Sequence, residues 1–140
     1  MLENRVVLLT GASRGIGAAT ARLLAKHGAA VAVNYVNNAA AAERVVQDIV
    51  SKDGRAIAVR ADVRVRDEVE SMVRIVGEQL GSIDTLILNA HIDTTLAPNI
   101  NQSWEAFFRL LAPALGWRLP IRVDAHAQPP DLLPIRLYPL

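Results

Sequence analysis

The sequence predicts an α/β fold built on a doubly wound parallel sheet, incomplete at about four strands and followed by an irregular proline-rich tail. Three observations lead there. Four short apolar runs alternate with three helical patterns in the first ninety residues. A glycine-rich turn separates the first such run from the first helix. All seven prolines lie after Ala97, so the first 97 residues contain none.

Arg5–Thr10 (RVVLLT) is a short run with β-branched residues, apolar on both faces, as a buried parallel strand requires. Gly11–Gly17 is the glycine-rich turn. Residues 16–27 read as a helix, with Ile16, Ala19, Leu23 and Leu24 recurring near helical spacing and Gly28 as the stop. Ala30–Tyr35 (AVAVNY) is a second strand. Ala39–Ser51 is a second helix with Val45, Val46 and Ile49 on one face. Asp53-Gly54 marks a turn, and Ala56–Arg60 (AIAVR) is a third strand. In the helix expected over Asp67–Leu80, Val69, Met72, Val73, Val76 and Leu80 fall on one stripe. Gly81 ends it, and Thr85–Leu88 (TLIL) is a fourth strand. Strands alternating with helices over short connections pair in parallel through right-handed crossovers, so helices cover both sheet faces. Such a half-sheet leaves an unpaired edge at its fourth strand.

Beyond Asn89 the pattern weakens. Asn101–Leu111 forms one more expected helix, with Trp104, Phe107, Phe108 and Leu111 on its apolar face. Residues 113–140 show no sustained period, and proline recurs too often for a helix interior or central strand. The expected division is a partial α/β domain over residues 1–112 and a tail over 113–140.

Composition narrows the function classes. With 51% hydrophobic and 21% charged residues the balance is globular. A net charge of +1 gives no footprint for nucleic acid or a membrane surface. The absence of cysteine excludes disulfides and thiolate metal sites. The opening MLENRVVLLTGAS is too short in its apolar run for a signal core or a membrane span, so a cytoplasmic location is expected.

The main chemical signal is Thr10-Gly11-Ala12-Ser13-Arg14-Gly15-Ile16-Gly17, set between a strand and a helix. Gly11 suits a tight turn. Gly15 lets the backbone approach a pyrophosphate. Gly17 lets the helix sit close to the sheet. The free N–H groups and dipole of the helix start attract phosphates, and the Ser13 hydroxyl adds a donor. The context is that of a Rossmann-type dinucleotide site.

The spacing T-G-x-x-x-G-x-G resembles the cofactor signature of the short-chain dehydrogenase/reductase family. Asp62-Val63 after the third strand and Asn89-Ala90 after the fourth strengthen the resemblance, which covers roughly residues 4–110. It implies that Asp62 contacts the adenine and that Asn89-Ala90 stands for the family's N-N-A-G motif. Here that motif reads Leu88-Asn89-Ala90-His91, with His91 where the family has glycine. Where many members place an active-site Asn seven residues after a Trp, this chain has Leu111 after Trp104.

The choice of dinucleotide follows from charge. NAD sites place a carboxylate about 20 residues after the glycine turn to accept from the ribose 2′-hydroxyl. Here the second strand ends in Asn34-Tyr35, without an acid. Arg14 supplies positive charge for a 2′-phosphate, and Asn34, Tyr35 and Asn37 offer hydrogen bonds. NADP(H) is therefore expected over NAD(H). The expected site comprises Gly11, Ser13, Arg14, Gly15, Ile16, Gly17, Asn34, Tyr35, Asp62, Val63, Asn89 and Ala90.

The resemblance implies hydride transfer between a nicotinamide and a carbonyl or alcohol. In it a Tyr serves as acid or base, a Lys four residues on lowers the Tyr pKa, and a Ser orients the substrate. None of the three can be carried over. Tyr35 is followed at the fourth position by Ala39, and Tyr138 by only Pro139 and Leu140; the last lysine is Lys52 and the last serine Ser103. Three readings stay open: a truncated or frame-shifted member, weakly active or inactive alone and without the family's oligomer interface; an NADP-dependent reductase using another acid such as His91; and an interaction protein whose proline-rich tail is a ligand segment.

Overall fold

The computed structural model describes residues 1–90. Seven elements alternate: β1 (Val6–Leu9), α1 (Gly15–Lys26), β2 (Ala30–Tyr35), α2 (Ala39–Val50), β3 (Arg55–Arg60), α3 (Arg66–Gln79) and β4 (Thr85–Ile87). All strand pairings are parallel, and the order across the sheet is β3-β2-β1-β4. The chain moves outward from β1 to β3 and then crosses back to place β4 on the other side of β1. The order reverses between β1 and β4, and ligands in open α/β sheets bind beyond the strand carboxyl ends at such a point.

Alternation along each strand divides the core into two layers. Val6 and Leu8 of β1, with Ala30 and Ala32 of β2, meet Val69, Met72 and Val76 of α3 on one face. Val7 and Leu9, with Val31 and Val33, meet α1 and α2 on the other. All four residues of β1 are buried, which explains the continuous apolar run. The stripes expected for the second and third helices are the buried ones.

The first helix differs from expectation. Its buried positions are Gly17, Ala18, Ala21 and Ala25. Ile16 is 80% exposed and Leu23 56% exposed, and only Leu24 of the expected large residues packs inward. The helix buries its small residues, and a stripe of methyl groups allows it to lie close to the sheet. Size rather than hydropathy decides this face. The helix expected over residues 101–111 and the irregular tail expected over 113–140 fall outside the described residues.

Candidate functional site

Thr10 stands at the carboxyl end of β1, where its strand meets β4. It is the polar end of an apolar run and is 1% exposed. Its N–H donates to the Ile87 carbonyl (3.0 Å), and its hydroxyl accepts from the N–H groups of Asn89 (3.0 Å) and Ala90 (3.1 Å). The Asn89 side-chain amide returns the tie, donating to the carbonyls of Thr10 (3.1 Å) and Gly11 (3.0 Å). Thr10 and Asn89 thus bind the end of β4 to the glycine turn.

Asn34 holds the same turn from the other side. The sequence reading gives it a hydrogen bond to a ribose phosphate; the structure puts the side chain to a different use. It is 1% exposed, its Oδ1 accepts from Gly11 N–H (3.2 Å), and its amide donates to the Ala61 carbonyl (2.9 Å). The Gly11 turn is therefore fastened to β2, to the exit of β3 and to the end of β4. Residue 34 shares its sheet face with Ala30 and Ala32, so strand parity sends its side chain into the α3 layer. Tyr35, one residue on, packs against the opposite layer and is half-buried.

The three glycines have separate jobs. A Cβ on Gly11 would lie 2.7 Å from Ala90 Cα, and the residue has φ +62°. A Cβ on Gly17 would lie 2.6 Å from Asn89 Nδ2 and 2.8 Å from the Gly11 carbonyl oxygen. These two let protein pass protein. Gly15 also has positive φ (+56°), yet a Cβ there would meet nothing within 4 Å among the described residues. Space over Gly15 is left open.

The helix that starts there is also open. The N-terminus of α2 is capped by Asn38, whose side chain accepts from Ala41 N–H (2.9 Å). That of α3 carries Asp67 and Glu68 in its first turn. By contrast, α1 has no side-chain cap and no acid in its first turn. Among the described residues the N–H groups of Gly15, Ile16 and Gly17 meet no acceptor. An anion at such a start gains from both the free donors and the helix dipole. Arg14, the residue before this helix, is exposed. Six other arginines pair with carboxylates; among the described residues Arg14, like Arg44 and Arg55, has no such partner, and of these three it alone stands at the start of α1. Ser13 is half-buried beside it, and Ile16 presents its apolar side chain at the mouth.

Asp62 follows β3 on the same carboxyl edge. Its carboxylate is gripped by Arg64, with Nη2 to Oδ2 at 2.6 Å and Nε to Oδ1 at 2.9 Å. The hydrogen bonds from the Arg64 guanidinium hold Asp62 below the ordinary carboxylate value, against partial burial that pushes upward. The Asp62 N–H donates to Glu68 Oε2 (2.7 Å). The neighbouring Val63 N–H has no acceptor among the described residues. The sequence reading missed Thr10, Arg64 and Glu68. A polar residue ending an apolar strand and the D-x-R spacing are the local signals for the first two.

The structure thus brings Gly11, Ser13, Arg14, Gly15, Ile16, Gly17, Tyr35, Asp62, Val63, Asn89 and Ala90 to one edge of the sheet, while Asn34 serves the scaffold beneath. His91 falls outside the described residues. A different cleft of about 780 Å³ lies between the C-terminal ends of α1 and α2, lined by Lys26, His27, Asp48 and Lys52 among others. Two helices turn their negative carbonyl ends toward it, which disfavours phosphate there. Among the described residues no group of acidic and histidine side chains is arranged for a metal ion, and no helix is long and apolar enough to cross a membrane.

Comparison with known proteins agrees with this geometry. The profile of the family described as short chain dehydrogenase matches residues 5–112. A 3-oxoacyl-(acyl-carrier-protein) reductase of Synechocystis sp. is 43% identical over 111 residues, covering 78% of this chain and 45% of that protein. The reductase of the same name from Staphylococcus epidermidis is 43% identical over 104 residues, 73% of this chain and 43% of its own length. Among solved structures, a short-chain dehydrogenase/reductase of Serratia marcescens matches with a TM-score of 0.70 at 31% identity, covering 81% of this chain and 51% of that one. A metagenomic short-chain oxidoreductase in complex with NADP matches with a TM-score of 0.68 at 30% identity, covering 81% and 57%. The chain spans under half the length of these two curated relatives. With a parallel sheet, the glycine turn and a family match over most of its residues, the chain belongs to the short-chain dehydrogenase family.

Proposed function

We propose that this chain holds NADP(H) for an oxidoreductase that passes hydride between the nicotinamide and a carbonyl or alcohol carbon. The observation that carries this reading is the start of α1. It alone of the three helix starts is uncapped and free of acid, and the space over Gly15 stays open. NADPH, when bound, supplies the hydride. The chain's own residues bind and orient it. The N–H groups of residues 15–17 and the Ser13 hydroxyl receive the pyrophosphate.

Further along the edge, Tyr35 ends β2 without a carboxylate, and Arg14, which has no carboxylate partner among the described residues, receives a 2′-phosphate. Beyond that ribose the adenine comes to the end of β3. There the Val63 N–H, without an acceptor among the described residues, and the Asp62 carboxylate form a donor beside an acceptor, matching the ring nitrogen and exocyclic amine of adenine. Asn89 and Ala90 close the nicotinamide side. The relatives named as 3-oxoacyl reductases, and the neighbour solved with NADP, support ketone reduction with this dinucleotide.

Arg14→Ala is expected to raise the NADPH dissociation constant by about tenfold or more, the worth of a charge-assisted contact. NADH affinity changes by less than about threefold. Calorimetric titration of both nucleotides checks this. Equal losses for NADPH and NADH would remove Arg14 from the 2′-phosphate site, and no saturable binding of either by the wild type would remove the reading itself. No tyrosine of the sequence has a lysine four residues on. These 140 residues are accordingly expected to bind NADPH without oxidising it when a small ketone is added. Turnover abolished by His91→Ala would instead favour catalysis by His91.

A further inference from the structure

Asp62 is held in an unusual way for a loop carboxylate. Arg64, two residues on, delivers three donors to it. Its backbone N–H reaches Oδ1 (2.9 Å), its Nε reaches Oδ1 (2.9 Å) and Oδ2 (3.2 Å), and its Nη2 reaches Oδ2 (2.6 Å). The Asp62 side chain is only 16% exposed beneath a guanidinium that is itself 65% exposed. Glu68 fixes the other end of the residue by accepting from its N–H. The loop is pinned from the next residues of the chain and from the first turn of α3.

A carboxylate offers about four acceptor positions. Arg64 fills two on Oδ1 and one on Oδ2 with close contacts, and the 3.2 Å contact from Nε to Oδ2 is only the longer branch of a shared donor, so the least filled position is on Oδ2. A free surface aspartate samples several rotamers and must be ordered when it binds. Asp62 has that ordering done in advance. A single remaining acceptor suits a single N–H, which is what an exocyclic amine directs at it.

We propose that Arg64 is a positioning residue for cofactor recognition, fixing the Asp62 carboxylate so that its one remaining acceptor reads the exocyclic amine of adenine. This rests on the reading of Asp62 as the adenine contact. Arg64 touches Asp62 and acts through it. The charged groups around the carboxylate are Arg64 in its own loop, Arg60 at the end of β3 and Glu68 on α3. The two arginines favour its ionised form, so an acceptor is present across the neutral range and well into acid.

The test compares binding of NADP+ with that of its hypoxanthine counterpart, in which a carbonyl oxygen replaces the amine. Calorimetry on the full chain gives both dissociation constants. The wild type is expected to prefer NADP+ by about tenfold or more, and Asp62→Ala to abolish the preference. Arg64→Ala and Arg64→Gln, both changes to an exposed side chain, are expected to narrow it by about three- to fivefold, with circular dichroism unchanged. The preference should also fade as acid protonates Asp62. In Arg64→Ala it fades at a higher pH, because the group that holds the carboxyl low is gone.

A preference and pH midpoint in Arg64→Ala equal to those of the wild type would overturn the role of Arg64 while leaving Asp62 in place. Equal affinity of the wild type for both nucleotides would overturn the adenine contact and the role of Arg64 with it.

Discussion

Replacing Gly11 by alanine is expected to lower the unfolding free energy by about 2–5 kcal/mol. Two costs add. The residue sits at φ +62°, where an L side chain is strained, and its Cβ would stand 2.7 Å from Ala90 Cα and 3.1 Å from Ala90 N. The obstruction is backbone, so no rotamer relieves it. Ala90 is itself tied to Thr10, and yielding there loosens β4 from β1. Gly15→Ala is the control. It shares the positive φ and meets nothing among the described residues, so its stability cost is only the conformational one of about 1–2 kcal/mol. Its methyl group fills the open face instead, and NADPH affinity is expected to fall by about tenfold or more. Urea midpoints and calorimetric titration separate the two. Equal destabilisation by both changes, or wild-type affinity in Gly15→Ala, would contradict the division of labour among the glycines.

Asn34→Asp is expected to destabilise the protein by about 3–5 kcal/mol at neutral pH, the cost of an uncompensated buried charge. One oxygen still accepts from Gly11 N–H. The other replaces an amide that donates to the Ala61 carbonyl at 2.9 Å, so two acceptors face each other inside the α3 layer. Burial and this repulsion raise the folded-state pKa above the unfolded value of about 3.9. The neutral acid can still donate to Ala61. The variant is therefore most nearly native below about pH 4 and loses stability as pH rises toward its raised folded-state pKa. Denaturation monitored by circular dichroism at pH 4 and pH 7 reads the difference. A destabilisation independent of pH would show that Asn34 is not buried as a donor. The test also distinguishes a scaffold asparagine from one that faces a ribose, where the same change would leave stability almost unaltered.

Much of the fold was legible because it depends on short-range pattern. The Ala30–Tyr35 strand has the expected bounds, and the other elements differ from expectation by one residue at one or both ends. Runs such as Val6–Leu9, apolar on both faces, can only be central strands. The stripe of Val69, Met72 and Val76 names its own buried side. The inner face of α1 was not legible in the same way. Ile16 and Leu23 carry the larger hydrophobicity, but close packing on the sheet selects Ala18, Ala21 and Ala25, and that distance is a property of the assembled layers. The glycine turn was legible from its place between a strand and a helix, and Asp62 and Asn89 from the family resemblance. Asn34 was misread because two polar residues end β2, and only the parity of the strand against the α3 layer decides which of them is buried. The bonds of Thr10 to Asn89 and Ala90 join positions about eighty residues apart, where no local pattern exists.

The uncapped start of α1 has a consequence for amide hydrogen exchange. Within one turn the protein carries two populations of backbone hydrogen. Those of Ala12, Asn89 and Ala90 are bonded to Asn34 and Thr10 and exchange only when the strands part. Those of Gly15, Ile16 and Gly17 have no acceptor among the described residues and exchange faster, the exposed Gly15 and Ile16 most of all. A bound pyrophosphate converts the second population into the first. Slowed exchange confined to residues 15–17 would therefore mark occupancy of the site amide by amide, in a protein whose architecture need not move at all.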